Sequence, residues 1–288
     1  MKVKMIFLFI DGVGMATASA DNPVNPEVCP VLCRLIANHA KPVDACLGVE
    51  GLPQSATGQA TMFTGVNCAA AAGKHCEGFP GPELRRIIES DNLFLGLRKR
   101  GKKVRFADAY LVDSPEELAA RRFKSVTTVM ALTVPETIST VDDLMAERAL
   151  MQDLTRETIQ DRYPDIPVIQ PQRAAEQLFR LARENDFTLY EFFQTDISGH
   201  SMDYDRACAV LRAYDRFLAA LVRYAEAADM TLVMTSDHGN VERVGERGHT
   251  TNPVPFVAYG PQEERLRARV NSLADVTPAL LAAFDGRL

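Results

Sequence analysis

The sequence predicts an α/β fold: a doubly wound, mostly parallel sheet with helices on both faces and a small helical insertion or cap. Short apolar runs of strand type recur along the 288 residues. Stretches with helical spacing separate them. Three of the apolar runs hand over to turns that carry an aspartate: Asp11 after MKVKMIFLFI, Asp196 after FTLYEFF and Asp237 after TLVMT. In open α/β sheets the loops leaving the carboxyl ends of strands converge, and ligands bind there. An aspartate just past a strand is commonly a turn or cap residue. Three together at strand ends are more than packing requires.

Along the chain, the first strand ends at Ile10 and passes through Asp11 into a turn containing Gly12 and Gly14. LPQSATGQATMFTGVN is a turn rich in small hydroxyl residues that leads into a helix-like run, Ala60 to Phe63. Punctuation from Gly78 to Pro82 marks a loop. Leu93 to Lys103 reads as a helix with a basic end, followed by a strand from Val104 to Ala107. Arg173 to Asn185 reads as an amphipathic helix feeding the strand that begins at Phe187. Between them, Leu111 to Pro171 is expected to be a charged, mostly helical cap on a single 1–288 domain. Thr231 to Thr235 reads as a buried strand opening onto Ser236-Asp237-His238-Gly239-Asn240.

The residue types in these loops suit metal-assisted phosphoryl chemistry. Two divalent cations about 4 Å apart can clamp a phosphoryl group. Carboxylate oxygens and imidazole nitrogens suit Mn²⁺ or Zn²⁺, with Mg²⁺ also open, and no thiolate pattern competes. Of five histidines, His200, His238 and His249 lie in the loop segments, whereas His39 and His75 do not. A nucleophilic hydroxyl is expected from the 55–65 stretch, because backbone N–H groups at a helix start can receive a phosphate oxygen. Ser55 and Thr57 both qualify on chemistry, and either can be a helix cap. Gln59 and Asn67 flank them as candidate phosphate donors, alongside Thr57. His75 reads as a surface residue.

Thr235-Ser236-Asp237-His238-Gly239-Asn240 with Glu242, the run His249 to Phe256, and Asp196-Ile197-Ser198-Gly199-His200 resemble motifs of the alkaline phosphatase superfamily. Within it they are most similar to the core shared by cofactor-independent phosphoglycerate mutase and phosphopentomutase. Asp275 to Leu281 is similar to the family's closing helix, and the resemblance covers the chain up to about Gly65 and again from about Thr188. It implies one metal held by Asp11, Ser55, Asp237 and His238, and a second held by Asp196, His200 and His249. It also implies that the nucleophile stands ten residues before the glycine of Thr64-Gly65 and three before Gly58, which favours Ser55 over Thr57. The implied activity is transfer of a phosphoryl group from a small phosphomonoester through a phosphoserine, with hydrolysis preferred. A sugar-phosphate mutase and a catalytically silent metal-binding homologue are the alternatives. No counterpart of the large inserted domain of phosphoglycerate mutases is visible. A sulfatase would need proline and arginine where Thr57 and Gln59 stand.

With 47% apolar residues the chain can bury a full core. A formal charge of −6 gives no reason to expect nucleic acid or an anionic membrane as partner, which leaves a small phosphorylated substrate. Arg121, Arg122 and Lys124 in the expected cap are candidates for a second anionic group, although such charge runs commonly form a solvated face. The apolar part of MKVKMIFLFI is too short for a signal peptide, and no run approaches the ~18 residues of a membrane span. A cytoplasmic location is therefore expected. Six cysteines without a CxxC pair read as reduced thiols, and Cys29 and Cys33 as one turn of an apolar helix.

Overall fold

The computed structural model describes residues 3–287. Met1 and Lys2 of the predicted first strand lie outside them. Among the described residues, six strands form one sheet: β1 (Met5–Ile10), β2 (Ala40–Val43), β3 (Val104–Phe106), β4 (Phe187–Phe192), β5 (Thr231–Thr235) and β6 (Val254–Tyr259). Their order is β2-β6-β5-β1-β4-β3. Strands β5, β1, β4 and β3 are mutually parallel, while β6 runs antiparallel to both β5 and β2. The sheet is thus mostly parallel and helix-covered, as the sequence predicts.

Alternation along β1 shows why both faces are closed. Met5, Phe7 and Phe9 belong to one apolar cluster, and Ile6, Leu8 and Ile10 to the other. A strand buried on both faces needs an unbroken apolar run, and β1 has one. On one face the helix Ser55–Thr64 sets Phe63 against Phe7 and Phe9, with ring centroids 6.0 and 5.8 Å apart. That helix is buried along almost its whole length, with small and apolar residues around it and Thr57, Gln59 and Thr61 as its buried polar side chains. The helices Pro171–Glu184 and Tyr204–Ala227 cover the other face. Proline at the first position starts the former, and the Asp203 side chain caps the latter by accepting from Arg206 N.

Pairing register aligns the ends of the three central strands. Ile10 lies opposite Phe192, and Phe9 opposite Thr235. The loops that begin at Asp11, Phe193 and Ser236 therefore leave one edge at one level. Because β6 is antiparallel, the segment before Val254 approaches the same edge and delivers His249 there.

Residues 111–171 differ from the expectation of a mostly helical cap. Their helices are short pieces (Pro115–Ala120, Val126–Leu132, Val141–Met145) and 3-10 turns joined by longer stretches without helix. Val112, Leu118, Val126, Val129 and Met130 belong to the main core, so that part is no separate cap. Only Val141, Leu144, Met151, Ile159 and Ile166 form a small cluster of their own. Apolar residues in the first half recur closely enough to pack on the sheet. Turn residues dominate the second. Among the described residues, no helix is long and apolar enough to cross a membrane.

Candidate metal centre

Asp11 follows β1 directly, and its backbone N–H donates to Phe192 O at 3.0 Å. Gly12 turns the chain with φ +70°, and a Cβ there would meet Asp196 Oδ1 at 2.7 Å, so only glycine lets the first and fourth strand ends come this close. Asp196 lies in the helix Gln194–His200 and is held by Asn240 Nδ2, which donates to its Oδ1 at 2.6 Å. Thr195 Oγ1 donates to Asp11 O at 2.6 Å and ties that helix to the β1 loop.

Asp237 and His238 are fully buried, and Asp11 nearly so. His238 Nε2 lies 3.4 Å from Asp11 Oδ1, 3.5 Å from Asp237 Oδ2 and 3.0 Å from Ser55 Oγ. One imidazole, two carboxylates and one hydroxyl thus surround a common point. Ser55 is the first residue of its helix, with Gln54 at the cap position, so its hydroxyl points out of the helix start towards that point. Gly58, one turn further, packs so tightly that a Cβ would meet Asp237 O at 2.8 Å.

Asp196, His200 and His249 form the neighbouring group. His200 Nε2 is 3.4 Å from Asp196 Oδ2 and 3.1 Å from His249 Nε2, which is 3.7 Å from Asp196 Oδ1. His249 Nδ1 lies 2.8 Å from Pro53 O, a carbonyl that can only accept. Nδ1 therefore carries a proton, which leaves Nε2, turned towards Asp196, as the nitrogen placed to meet a metal. His238 and His249 stack face to face and join the two groups.

The electrostatics of the cluster fit divalent cations. Burial, followed by the charges of Asp237 and Asp196, pushes the Asp11 carboxyl well above its ordinary value, and burial raises Asp237. Burial and then His249 hold His238 down to about 3, so its imidazole is neutral at pH 7, the form that donates a lone pair. Asp11 Oδ1 and His238 Nδ1 are buried without a hydrogen-bond partner. Crowded carboxylates and an orphaned oxygen are costly on their own and favourable around a cation. Asp11, Asp237 and His238, and separately Asp196, His238 and His249, present ligand atoms within 4.8 Å of one another.

Other candidates fall elsewhere. The Thr57 hydroxyl is buried, lies 3.2 Å from Gln54 O and accepts from Cys76 N at 3.2 Å, so it is not turned to the site. Gln59 Nε2 donates to Asp237 Oδ2 at 3.0 Å and Asp11 Oδ2 at 3.4 Å, which makes it a carboxylate holder instead of the expected phosphate donor. Asn67 caps a short helix by accepting from Ala70 N and donates to Leu47 O, so both ends of its amide are engaged away from any phosphate. His75 contacts Val49 O, and His39 pairs with Glu263. Cys29 and Cys33 are free thiols with sulfurs 3.8 Å apart.

Sequence reasoning gave no role to Glu242, which is fully buried. Its carboxylate accepts from Gly14 N, Asn240 N, Thr250 Oγ1 and Asn252 Nδ2 at 2.8, 2.8, 2.5 and 3.0 Å. Three site loops thus hang on one side chain. A cavity of ≈ 710 Å³ opens beside Asp11, Ser55 and Asp196. Asp108 and Glu191 stand in its wall, both buried. Glu191 is an acid within an apolar strand, and Asp108 follows β3 as the other aspartates follow theirs; both signals were visible.

A family model described as Metalloenzyme superfamily matches residues 3–286. The 2,3-bisphosphoglycerate-independent phosphoglycerate mutase of Myxococcus xanthus (strain DK1622) is 37% identical over 102 residues, 33% of this chain and 20% of that protein. The same enzyme of Natronomonas pharaonis is 33% identical over 137 residues, 42% of this chain and 27% of that protein. The matched stretches are thus about a quarter or less of those relatives' own length. Among solved structures, the alkaline phosphatase of the Antarctic bacterium TAB5 is similar with a TM-score of 0.58 at 11% identity, covering 98% of this chain and 97% of that one. The PH0037 protein of Pyrococcus horikoshii is similar with a TM-score of 0.57 at 14% identity, covering 100% and 98%. At such identities the likeness is one of fold.

Proposed function

The chain belongs to the Metalloenzyme superfamily, and from that premise we propose that it transfers a phosphoryl group from a small phosphomonoester to water through a phosphoserine at Ser55. The observation that carries this reading is the position of Ser55 Oγ, 3.0 Å from His238 Nε2 at the edge of the carboxylate and imidazole cluster and facing the cavity. Asp11, Ser55, Asp237 and His238 would hold one divalent cation, and Asp196, His200 and His249 a second, Mn²⁺ or Zn²⁺ by donor type. Bound there, the cations supply positive charge that lowers the Ser55 hydroxyl pKa and offsets charge on the phosphoryl oxygens.

Ser55 Oγ releases its proton to solvent and attacks phosphorus, the phosphorus–oxygen bond to the ester breaks, and the departing oxygen takes a proton from water. A water molecule then attacks the phosphoserine, releasing inorganic phosphate and restoring the hydroxyl. Gln59 holds Asp11 and Asp237 in place through its amide nitrogen, and Gly58 lets the nucleophile helix approach Asp237. Preorganisation of this kind keeps the reacting atoms at the right distance without reorganisation during the reaction.

A mutase is the second reading, favoured by the names of the curated relatives. A mutase must retain its dephosphorylated intermediate while it turns. Only the small cluster around Leu144 and Ile159 is free of the main core to serve as a cover, which supports hydrolysis. Phosphorus NMR of the Mn²⁺-loaded protein with pentose and hexose phosphates tests both readings, with Ser55→Ala as control. Inorganic phosphate formed only by the wild type is the expected result. A new ester signal without free phosphate would establish the mutase, and full activity in Ser55→Ala would end the covalent route.

A further inference from the structure

We propose that the alcohol part of the substrate is a flat, apolar ring system that carries a second anionic group. The inference rests on the phosphoryl-transfer reading of the Ser55 site and concerns the rest of its cavity. Ser55, Asp11 and Asp196 mark the phosphoryl end. The cavity of ≈ 710 Å³ falls within the range of pockets that enclose ligands of drug-like size, on the order of 300–1,000 Å³, so a three-carbon ester would leave most of it to water.

The walls carry aromatic, acidic and cationic side chains. Phe79, Tyr110 and Phe193 are aromatic residues of the lining, with the buried Phe106 behind them. Phe79 is 53% exposed and lies against Phe123, itself 60% exposed, with centroids 5.4 Å apart and planes at 32°. Two exposed phenylalanines beside a cavity leave apolar surface in water, and a planar ligand would cover it. Asp108 and Glu191 also line the cavity, with the Thr127 hydroxyl donating to Glu191 Oε2 at 2.7 Å.

Cationic groups lie elsewhere in the lining, at Arg121 and Arg162. Arg121 is partly engaged, donating to Leu111 O at 2.8 Å and lying 3.7 Å from Glu117. The Arg162 guanidinium lies 5.2 Å from the Tyr163 ring centroid, and no carboxylate among the described residues forms an ion pair with it. A ring-borne carboxylate or phosphate can therefore reach an unpaired guanidinium able to bind it through two N–H groups. Arg122 stacks on Phe123, and Lys124 donates to Arg121 O, so within this basic run Arg121 alone lines the cavity and is already engaged, which leaves the Arg162 guanidinium for the ligand.

Non-hydrolysable phosphonates separate these features from leaving-group chemistry. Calorimetric titration of the Mn²⁺-loaded protein would compare methylphosphonate, 2-naphthylmethylphosphonate and its 6-carboxy derivative, in the wild type and in Arg162→Gln. The naphthyl compound should bind at least about tenfold tighter than methylphosphonate, as burial of a ring requires. The carboxyl group should add roughly fivefold, and Arg162→Gln should erase that increment. Equal affinity for methyl and naphthyl compounds, or a carboxyl increment that survives Arg162→Gln, would overturn the inference while inorganic phosphate binding and ester turnover keep the phosphoryl-transfer reading intact. If neither phosphate nor any phosphonate binds and no ester is turned over, that reading falls, and this one with it.

Discussion

The imidazoles of His238 and His249 are stacked, with centroids 3.6 Å apart and planes inclined by 13°. Each ring belongs to a different strand-end loop, one after β5 and the other before β6, and the antiparallel direction of β6 is what brings them face to face. Two protonated rings would repel at this separation. Burial holds the His238 ring neutral, and the stack makes the two groups of ligand atoms a single coupled centre.

The first prediction concerns metal stoichiometry. His238 Nε2 approaches Asp11, Asp237 and Ser55, and its ligand atoms also fall within 4.8 Å of those of Asp196 and His249. His238→Ala should weaken both cations. His200 is half-exposed and reaches only Asp196 and His249, so His200→Ala should weaken the second cation alone, by roughly tenfold or more. Elemental analysis after equilibrium dialysis reads both outcomes. Equal loss of both metals in the two variants would contradict the division of ligands.

Removing metal should destabilise the fold. The carboxyls of Asp11, Asp237 and Asp196 converge, and Asp11 Oδ1 is buried without a partner, so a cation binds the folded state and not the unfolded chain. At a free metal concentration a hundred times the dissociation constant, the stabilisation is about 2.7 kcal/mol, or on the order of 5–10 °C in Tm for a chain of this size. Thermal melts with a chelator and then with excess Mn²⁺ or Zn²⁺ measure it. Coincident melting curves would argue against a metal centre.

Glu242 should be as important to stability as any apolar core residue. Removing its carboxylate leaves Gly14 N, Asn240 N and the side chains of Thr250 and Asn252 without their shared acceptor, and at least the buried donors lose on the order of 3 kcal/mol together. Glu242→Ala should lower the urea midpoint accordingly. Glu242→Gln keeps one acceptor oxygen but places an amide N–H₂ against donors, so it should recover only part of the loss. A wild-type midpoint in Glu242→Ala would show that the three loops are held by other contacts.

How much of this was legible in the sequence follows from what kind of signal each residue leaves. Asp11, Asp196 and Asp237 stand beside apolar runs, and strand pairing at common register turns that local pattern into spatial proximity. His249 lies before its strand, and its convergence depends on β6 being antiparallel, which the sequence does not encode locally. Asp108 obeys the strand-end rule after β3 and Glu191 interrupts an apolar strand, yet neither belongs to a dense motif. Asn67 and Gln59 share the composition of a phosphate loop, and their actual partners, Leu47 O and the two carboxylates, are set by tertiary contacts. The 111–171 segment misled because charge density resembles that of a solvated helix, whereas its first half carries apolar residues that join the main core.

A final prediction uses the cavity acid Glu191. Burial, only partly offset by the Thr127 hydrogen bond and reinforced by the charge of Asp237, pushes its carboxyl from the ordinary 4.5 up to about 7. Asp108, raised by burial and then by Glu191, accepts from the Glu191 N–H at 2.9 Å and faces it across the cavity wall. Between about pH 4.5 and 7 the folded protein therefore holds a proton on Glu191 that the unfolded chain has released. Stability rising from that proton is complete below the unfolded value and is lost as pH increases through 7, up to a limit of about 3 kcal/mol. Glu191→Gln is neutral in both states and removes this contribution to the slope. Urea unfolding of chelator-treated protein at pH 5 and pH 8 should thus show a larger drop in the wild type than in Glu191→Gln, by about 1–3 kcal/mol. Parallel pH dependence in the two proteins would mean that Glu191 ionises as freely in the fold as in the open chain. Its burial in the wall of the phosphoryl cavity would then carry no electrostatic consequence.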